Sequence, residues 1–250
     1  MKIAVLVKHT VDVRNVRIDA ETGTPNLEGK PGLDRADLHA ISEAVDLVES
    51  GDGELTVVGL GPEAMKDDIV SAIAAAMGNA EGKHVVYEGE AGTLFAARAL
   101  ANVLDGFDVI ITGKLSEDYG TGQLGMQVAE VLDIPHLSGV ISAKQSGDAL
   151  AVSYELDGFP DDIEVPTPIL LVLNAREGEP KRHPNLRGMM SAKRKTIEQS
   201  QPTDEPGNRL TWSAPLAARR GGERVVIKGE EPAAAAKKLA DWLKEHRLVG

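Results

Sequence analysis

Apolar positions along the first 135 residues alternate between two spacings. Residues 3–7 form a short unbroken apolar run, the pattern of a strand covered on both faces. Over 34–49, Leu38, Ile41, Ala44, Val45 and Val48 recur at helical spacing with acids on the other side. Residues 54–60 read as a second strand, closed by Gly59-Leu60-Gly61-Pro62. A helix then begins where proline is tolerated, in its first turn, and runs through the Ala-rich stretch 71–77 to a C-cap at Gly78. A third strand at 85–87, a helix at 92–104, a fourth strand at 108–112 and a helix at 122–132 continue the rhythm. This βαβα order predicts an α/β fold: a Rossmann-like three-layer, mostly parallel sheet with helices on both faces. Ligands in such a fold bind at the carboxyl ends of the strands.

From about residue 137 the pattern changes. Segments 140–143, 149–155 and 169–173 read as strands joined by short turns such as Ser146-Gly147-Asp148, and are expected to extend the sheet in partly antiparallel fashion. Residues 174–231 are rich in Pro, Gly and charge, a stretch too long for a quiet loop, and so either disordered or laid on a partner. A last helix at about 232–246 carries Ala235, Leu239, Trp242 and Leu243 on one stripe. The expected organisation is a sheet domain over 1–174 and an arm with a terminal helix over 175–250.

Composition removes several classes of function. The 250 residues include no cysteine, so disulfides, thiolate metal sites and cysteine nucleophiles are out. A net charge of -12 argues against nucleic acid or an anionic membrane as partner. No apolar run approaches the roughly 20 residues of a membrane span, and the opening strand is too short for a signal sequence, which makes the cytoplasm the expected location. Aromatics are only 3% of the chain, with Trp212 and Trp242 near its end, so a bound nucleotide must be held mainly by backbone groups and small residues. The six histidines show no metal spacing and no Ser–acid arrangement. Among them, His9 lies beside the expected ligand crevice and reads as a surface or capping residue. Asp67-Asp68 and Asp161-Asp162 read as solvated acids.

The most informative segment is Gly113-Lys114-Leu115-Ser116-Glu117-Asp118-Tyr119-Gly120-Thr121-Gly122-Gln123-Leu124-Gly125, which follows a buried strand and opens a helix. Free N–H groups at a helix start, among residues small enough for close approach, suit a phosphate. Thr121 adds a hydroxyl and Lys114 a charge. A Gly-rich turn capped by Asp118 or Thr121, with nothing bound, fits the same spacing.

This loop resembles the nucleotide loop of electron transfer flavoprotein beta subunits, with Gly113, Asp118, Thr121, Gly122, Gln123 and Gly125 in register and Ala129-Glu130 following. It departs from that pattern at Tyr119, Gly120 and Met126. Val5-Leu6-Val7-Lys8 with Asp12, Ala40–Val45, Leu60-Gly61-Pro62 and Ala76-Met77-Gly78 match the same family in order. The resemblance implies a structural AMP, or in flavin-bifurcating relatives a second FAD. Its pocket would be lined by Leu6, Val7, Lys8, Leu60, Gly61 and the loop residues Gly113, Asp118, Tyr119, Gly120, Thr121, Gly122, Gln123 and Leu124. It also implies a larger alpha subunit whose FAD this chain helps to wall in. His183–Ile197 resembles the family's recognition loop, with Leu186 at the anchoring position and Met189 and Met190 beside it. Glu155 corresponds to an interface Glu that pairs with an Arg of the FAD-bearing subunit. The implied role is an electron carrier with no bond-making chemistry of its own. It would be fed by acyl-CoA or other flavoprotein dehydrogenases, as in fatty acid oxidation, and would discharge to a quinone oxidoreductase-type acceptor. An ATP pyrophosphatase of the nucleotide alpha-hydrolase type is a competing reading, but Lys8-His9-Thr10-Val11-Asp12 stands where that class has its Ser-Gly-Gly loop. A stand-alone nucleotide sensor of the universal-stress type is the other, and the long arm speaks against it.

Overall fold

The computed structural model describes residues 1–26, 31–89, 91–174, 180–204 and 231–249, together with 207 and 226. Nine strands build one sheet: β1 (Lys2–Val7), β2 (Glu54–Gly61), β3 (Ala80–Val86), β4 (Val109–Gly113), β5 (His136–Ser146), β6 (Ala149–Leu156), β7 (Phe159–Pro166), β8 (Ile169–Leu173) and β9 (Ile197–Ser200). Their order across the sheet is β7-β6-β5-β8-β4-β1-β2-β3-β9. Every neighbouring pair is parallel except β5–β6 and β6–β7, which form an antiparallel meander at one edge. Two small antiparallel pairs, 9–11 with 31–33 and 17–18 with 25–26, lie outside this sheet.

Helices α1 (Arg35–Glu49), α2 (Lys66–Ala75), α3 (Thr93–Leu104) and α4 (Leu124–Leu132) connect the parallel strands. Ile41, Ala44, Ile69 and Ile73 of α1 and α2 are buried in one core with Ile3, Val5 and Ile111. Ala97, Leu100 and Val128 of α3 and α4 are buried in a second core with Ala4, Leu6, Ile110 and Leu170. Neighbouring residues of β1 thus point to opposite cores, so the strand is apolar at every position. The three layers match the fold the periodicity predicts.

Strand order reverses at β1, which has β2 on one side and β4 on the other. The connection from β3 to β4 carries the chain to the opposite face, and a crevice opens at the carboxyl ends of the strands around β1 and β4.

Four elements differ from the sequence expectation. β3 starts at Ala80 rather than 85, because its inward positions Ala80, Gly82 and His84 are small or polar. β7 was not expected; only Val165 of it is buried. Within the Pro- and Gly-rich stretch, α5 (Leu186–Ala192) packs on α2, and β9 pairs with β3 from Ile197↔Gly82 to Ser200↔Val85. One compact unit runs from Met1 to Pro215. Trp212 and most of 205–230 lie outside the described residues.

The second unit, Leu216–Gly250, contains α6 (Pro232–Glu245), which has Pro at its first turn and buries no residue within the described chain. Trp242 stacks on His246 with ring centroids 4.2 Å apart. No helix among the described residues is long and apolar enough to cross a membrane.

Candidate functional site

The crevice at the strand ends is a cleft of about 350 Å³. β1 contributes Leu6 and Val7 with the following Lys8 and His9; β2 contributes Leu60 and Gly61; β4 and its loop contribute Gly113, Asp118, Tyr119, Thr121, Gly122, Gln123 and Leu124. These segments are far apart in sequence and meet because β2, β1 and β4 are adjacent and parallel. Gly120 alone among the expected residues is not on the wall. Its φ of +59° lets the turn reverse before Thr121, as the φ of +62° at Gly122 does after it.

Local packing explains the small residues. A side chain on Gly125 would begin 2.6 Å from the Thr112 methyl group, so only glycine lets α4 start this close to β4. A Cβ at Gly59 would stand 2.3 Å from the Met65 Cε, and one at Gly61 2.9 Å from its sulfur. His84, fully buried behind β2, holds the Gly61 carbonyl through Nε2 at 3.1 Å.

The walls are chemically unlike. α3 and α4 both begin at the cleft, with Gly92 and Gln123 as caps, and neither cap offers a side-chain hydrogen bond to the free N–H groups. Thr93 Oγ1 donates to Gln123 Oε1 at 3.3 Å, tying the two helix starts together. Lys114 also lines this cleft, with Nζ on Asn174 Oδ1. Two uncapped N-termini, a hydroxyl and an ammonium make a wall suited to phosphate.

On the other side stand acids. Asp34 caps α1 by accepting from Ala36 N at 2.9 Å and accepts from Glu117 N with its second oxygen, so it also fixes the loop. Asp37 Oδ2 accepts from Lys8 N at 2.6 Å. Its other oxygen lies 3.4 Å from where a side chain on Gly113 would begin. Burial, then the nearby Asp34, pushes the Asp37 carboxyl well above the usual carboxylate range.

Lys8 spans the mouth. Nζ donates to both Asp118 oxygens, at 2.6 and 2.7 Å, and to Ser116 Oγ at 3.2 Å, and lies 4.9 Å from the centre of the Tyr119 ring. Burial alone would raise Asp118, but the hydrogen bonds from Lys8 and Ser116 outweigh it and hold the carboxyl below its usual value. His9 hydrogen-bonds Asp68 through Nδ1.

Sequence reasoning did not place Asp37, Tyr87, Gly89, Ala91, Gly92 or Thr93 in this wall. Tyr87 faces the cleft with its ring 4.8 Å from that of Phe95. An Ala/Leu-rich helix opening on Gly92 without a capping side chain was the available signal for the last two of these.

The expected partner-facing residues lie elsewhere on the same unit. Leu186 is 79% exposed and Met190 55%, and with Arg187, Ser191, Arg194 and Lys195 they line a shallow depression on α5. Met189 does not join them: it turns inward and packs against the core shared by α1 and α2. Helical geometry requires this, because Gly188 and Ala192 already face α2 and Met189 sits between them and the exposed stripe. Glu155 is exposed near the end of β6, paired with Pro160 on β7.

The family model for the electron transfer flavoprotein domain matches residues 27–205, which include most of the sheet and the whole of the loop and α5. The chain belongs to the electron transfer flavoprotein family. Its relatives include the electron transfer flavoprotein subunit beta of Thermoanaerobacterium thermosaccharolyticum, 34% identical over 77% of this chain and 75% of that protein. The subunit beta of Syntrophomonas wolfei is 31% identical over 98% of this chain and 96% of its own length. That of Bacillus subtilis is 28% identical over the full length of both. Membership of this family gives the chain a role in flavin-linked electron transfer, in its beta-subunit branch.

Proposed function

We propose that this chain is the AMP-holding beta subunit of a heterodimeric electron transfer flavoprotein. The observation that carries the reading is one cleft in which the ends of β1, β2 and β4 meet two uncapped helix N-termini. The phosphate sits against the starts of α3 and α4, with Thr121 and Lys114 as further donors. The nucleoside lies toward Leu6, Val7, Leu60 and Gly61. A volume of about 350 Å³ is at the small end of ligand sites and suits a mononucleotide better than a second FAD.

The larger alpha subunit carries an FAD, which supplies the redox chemistry when bound. This chain's own residues bind, orient and dock. Glu155 faces that subunit, and of the expected arm it is the C-terminal part with α6, which buries no residue within the described chain, that packs on it. Leu186 and Met190, ringed by Arg187, Arg194 and Lys195, offer an apolar anchor with a basic rim to acyl-CoA or other flavoprotein dehydrogenases. A quinone oxidoreductase-type protein is the acceptor, and the complex works in the cytoplasm. No proton-transfer step is asked of this chain, which is a carrier subunit and not an enzyme.

The test is to co-purify the chain with its larger subunit, denature the complex and identify the released nucleotides by mass and absorbance. One FAD and one AMP per heterodimer is the expected result. Two FADs without AMP would give the cleft to a second flavin. A chain that purifies alone and releases ATP or nothing would sink the proposal.

A further inference from the structure

We propose that His9, oriented by Asp68, is a specificity-determining residue that recognises a ribose hydroxyl of the bound nucleotide. The inference rests on the nucleotide reading above and adds a residue to it. His9 follows Lys8 at the end of β1 and lines the cleft. Its Nδ1 is bonded to the carboxylate of Asp68, which comes from the first turn of α2; the two side chains are only 17% and 11% exposed. A carboxylate on one ring nitrogen fixes both the tautomer and the direction of the imidazole. Nδ1 carries the proton, and Nε2, which has no hydrogen-bond partner among the described residues, is left for a ligand.

Position in the fold then selects the part of the ligand. The N–H donors that suit phosphate belong to α3 and α4, on one face of the sheet. Asp68 belongs to α2 and Asp37 to α1, on the other face. His9 is therefore tied to the wall away from the phosphate, beside the Asp37 carboxyl that Lys8 N holds in place. What remains of a nucleotide there is the nucleoside. A hydroxyl suits Nε2 in both of its states: it donates to the lone pair of the neutral ring and accepts from the N–H of the protonated one. An exocyclic amine can only donate, so it fits one state and not the other. A ribose hydroxyl is the nucleoside group that fits at every protonation of the pair.

The experiment measures calorimetric binding of AMP, 2′-deoxy-AMP, 3′-deoxy-AMP and IMP to the heterodimer stripped of nucleotide, native and with His9→Phe. The native complex should bind AMP about tenfold tighter than one of the deoxy analogues, the scale of one hydrogen bond. In His9→Phe that ratio should fall to near one, with AMP weakened to the level of its deoxy form. Asp68→Asn, whose amide oxygen still accepts from Nδ1, should keep most of the ratio, and Asp68→Leu should lose it. A merely structural role would lower all four nucleotides in parallel and leave the ratios intact, which overturns the proposal. Loss of discrimination between AMP and IMP instead would give His9 to the base and overturn the ribose assignment. If the native complex binds AMP and His9→Phe binds it equally well, this inference fails alone; if the native complex does not bind AMP, the nucleotide reading fails with it.

Discussion

Replacing Gly188 by alanine sets two physical effects against each other. Gly188 lies inside α5 and faces α2, and a Cβ built on it would stand 2.3 Å from the carbonyl oxygen of Ala74 and 3.1 Å from its carbonyl carbon. Those atoms are backbone, so no side-chain rotation relieves the clash and the two helices must part. Overpacking of this kind destabilises by about 1–3 kcal/mol. Helix propensity works the other way, because alanine in a helix is favoured over glycine by about 0.5–1 kcal/mol. The net expectation is a loss of about 1–2 kcal/mol, and at about 2–4 °C per kcal/mol for a unit of this size, Tm falls by roughly 2–8 °C. Calorimetry or circular-dichroism melting reads this directly. Met190→Ala, on the exposed stripe of the same helix, should stay within about 0.5 kcal/mol of the native chain. If Gly188→Ala raises Tm, propensity has won, and the close α2–α5 approach is not what holds the exposed Leu186 in place.

Three further outcomes follow from groups around the cleft and α1. Asp37→Asn keeps an acceptor for Lys8 N but removes a carboxyl whose folded pKa is raised by burial and by Asp34. Such an acid binds its proton more tightly folded than unfolded, so its contribution is lost as pH rises from the ordinary value of 3.8 through the raised one. Urea midpoints should show the variant gaining on the native chain as pH rises above about 4, and a pH-independent difference would refute the assignment. Lys8→Met and Asp118→Asn break the same ion pair, so both should loosen the 113–123 loop and weaken AMP binding; the double variant should be little worse than either. Additive losses in that cycle would mean that the two residues act separately. Arg182→Met removes bonds to Asp46 at 2.9 Å and Glu49 at 2.8 Å and should destabilise by about 1 kcal/mol, less in high salt. A salt-independent loss would show that the arginine acts by packing.

The parallel core was legible because β1, β2, β4 and β8 are buried on both faces and leave unbroken apolar runs. β7 left no such trace: with Phe159, Pro160, Asp161, Asp162 and Glu164 all exposed, its pairing rests on backbone hydrogen bonds to β6, which side-chain periodicity does not report. α5 escaped for a related reason. Its buried face is Gly188 and Ala192, and small residues that permit helix contact look like a loop in a hydropathy pattern. In the cleft, the loop 113–125 announced itself through its glycines, whereas Asp37 sits inside an ordinary amphipathic helix and reads as one of its solvated acids. Only the placement of α1 beside β1 and β4 reveals that this acid is buried.

The position of β9 has a consequence for how the chain is made. β3 emerges from the ribosome more than a hundred residues before Ile197, the first residue of the strand that covers its outer edge. At about 5–20 residues per second the edge stays open for several seconds or longer. During that time α2 also lacks α5, and the Ala74 backbone that Gly188 comes to cover is open. A nascent chain halted near residue 174 therefore presents an unpaired parallel strand beside an apolar helix, a surface that invites chaperones or other nascent chains. Completion of the α5–β9 segment closes the edge and, in the same step, sets the exposed Leu186 on its finished support.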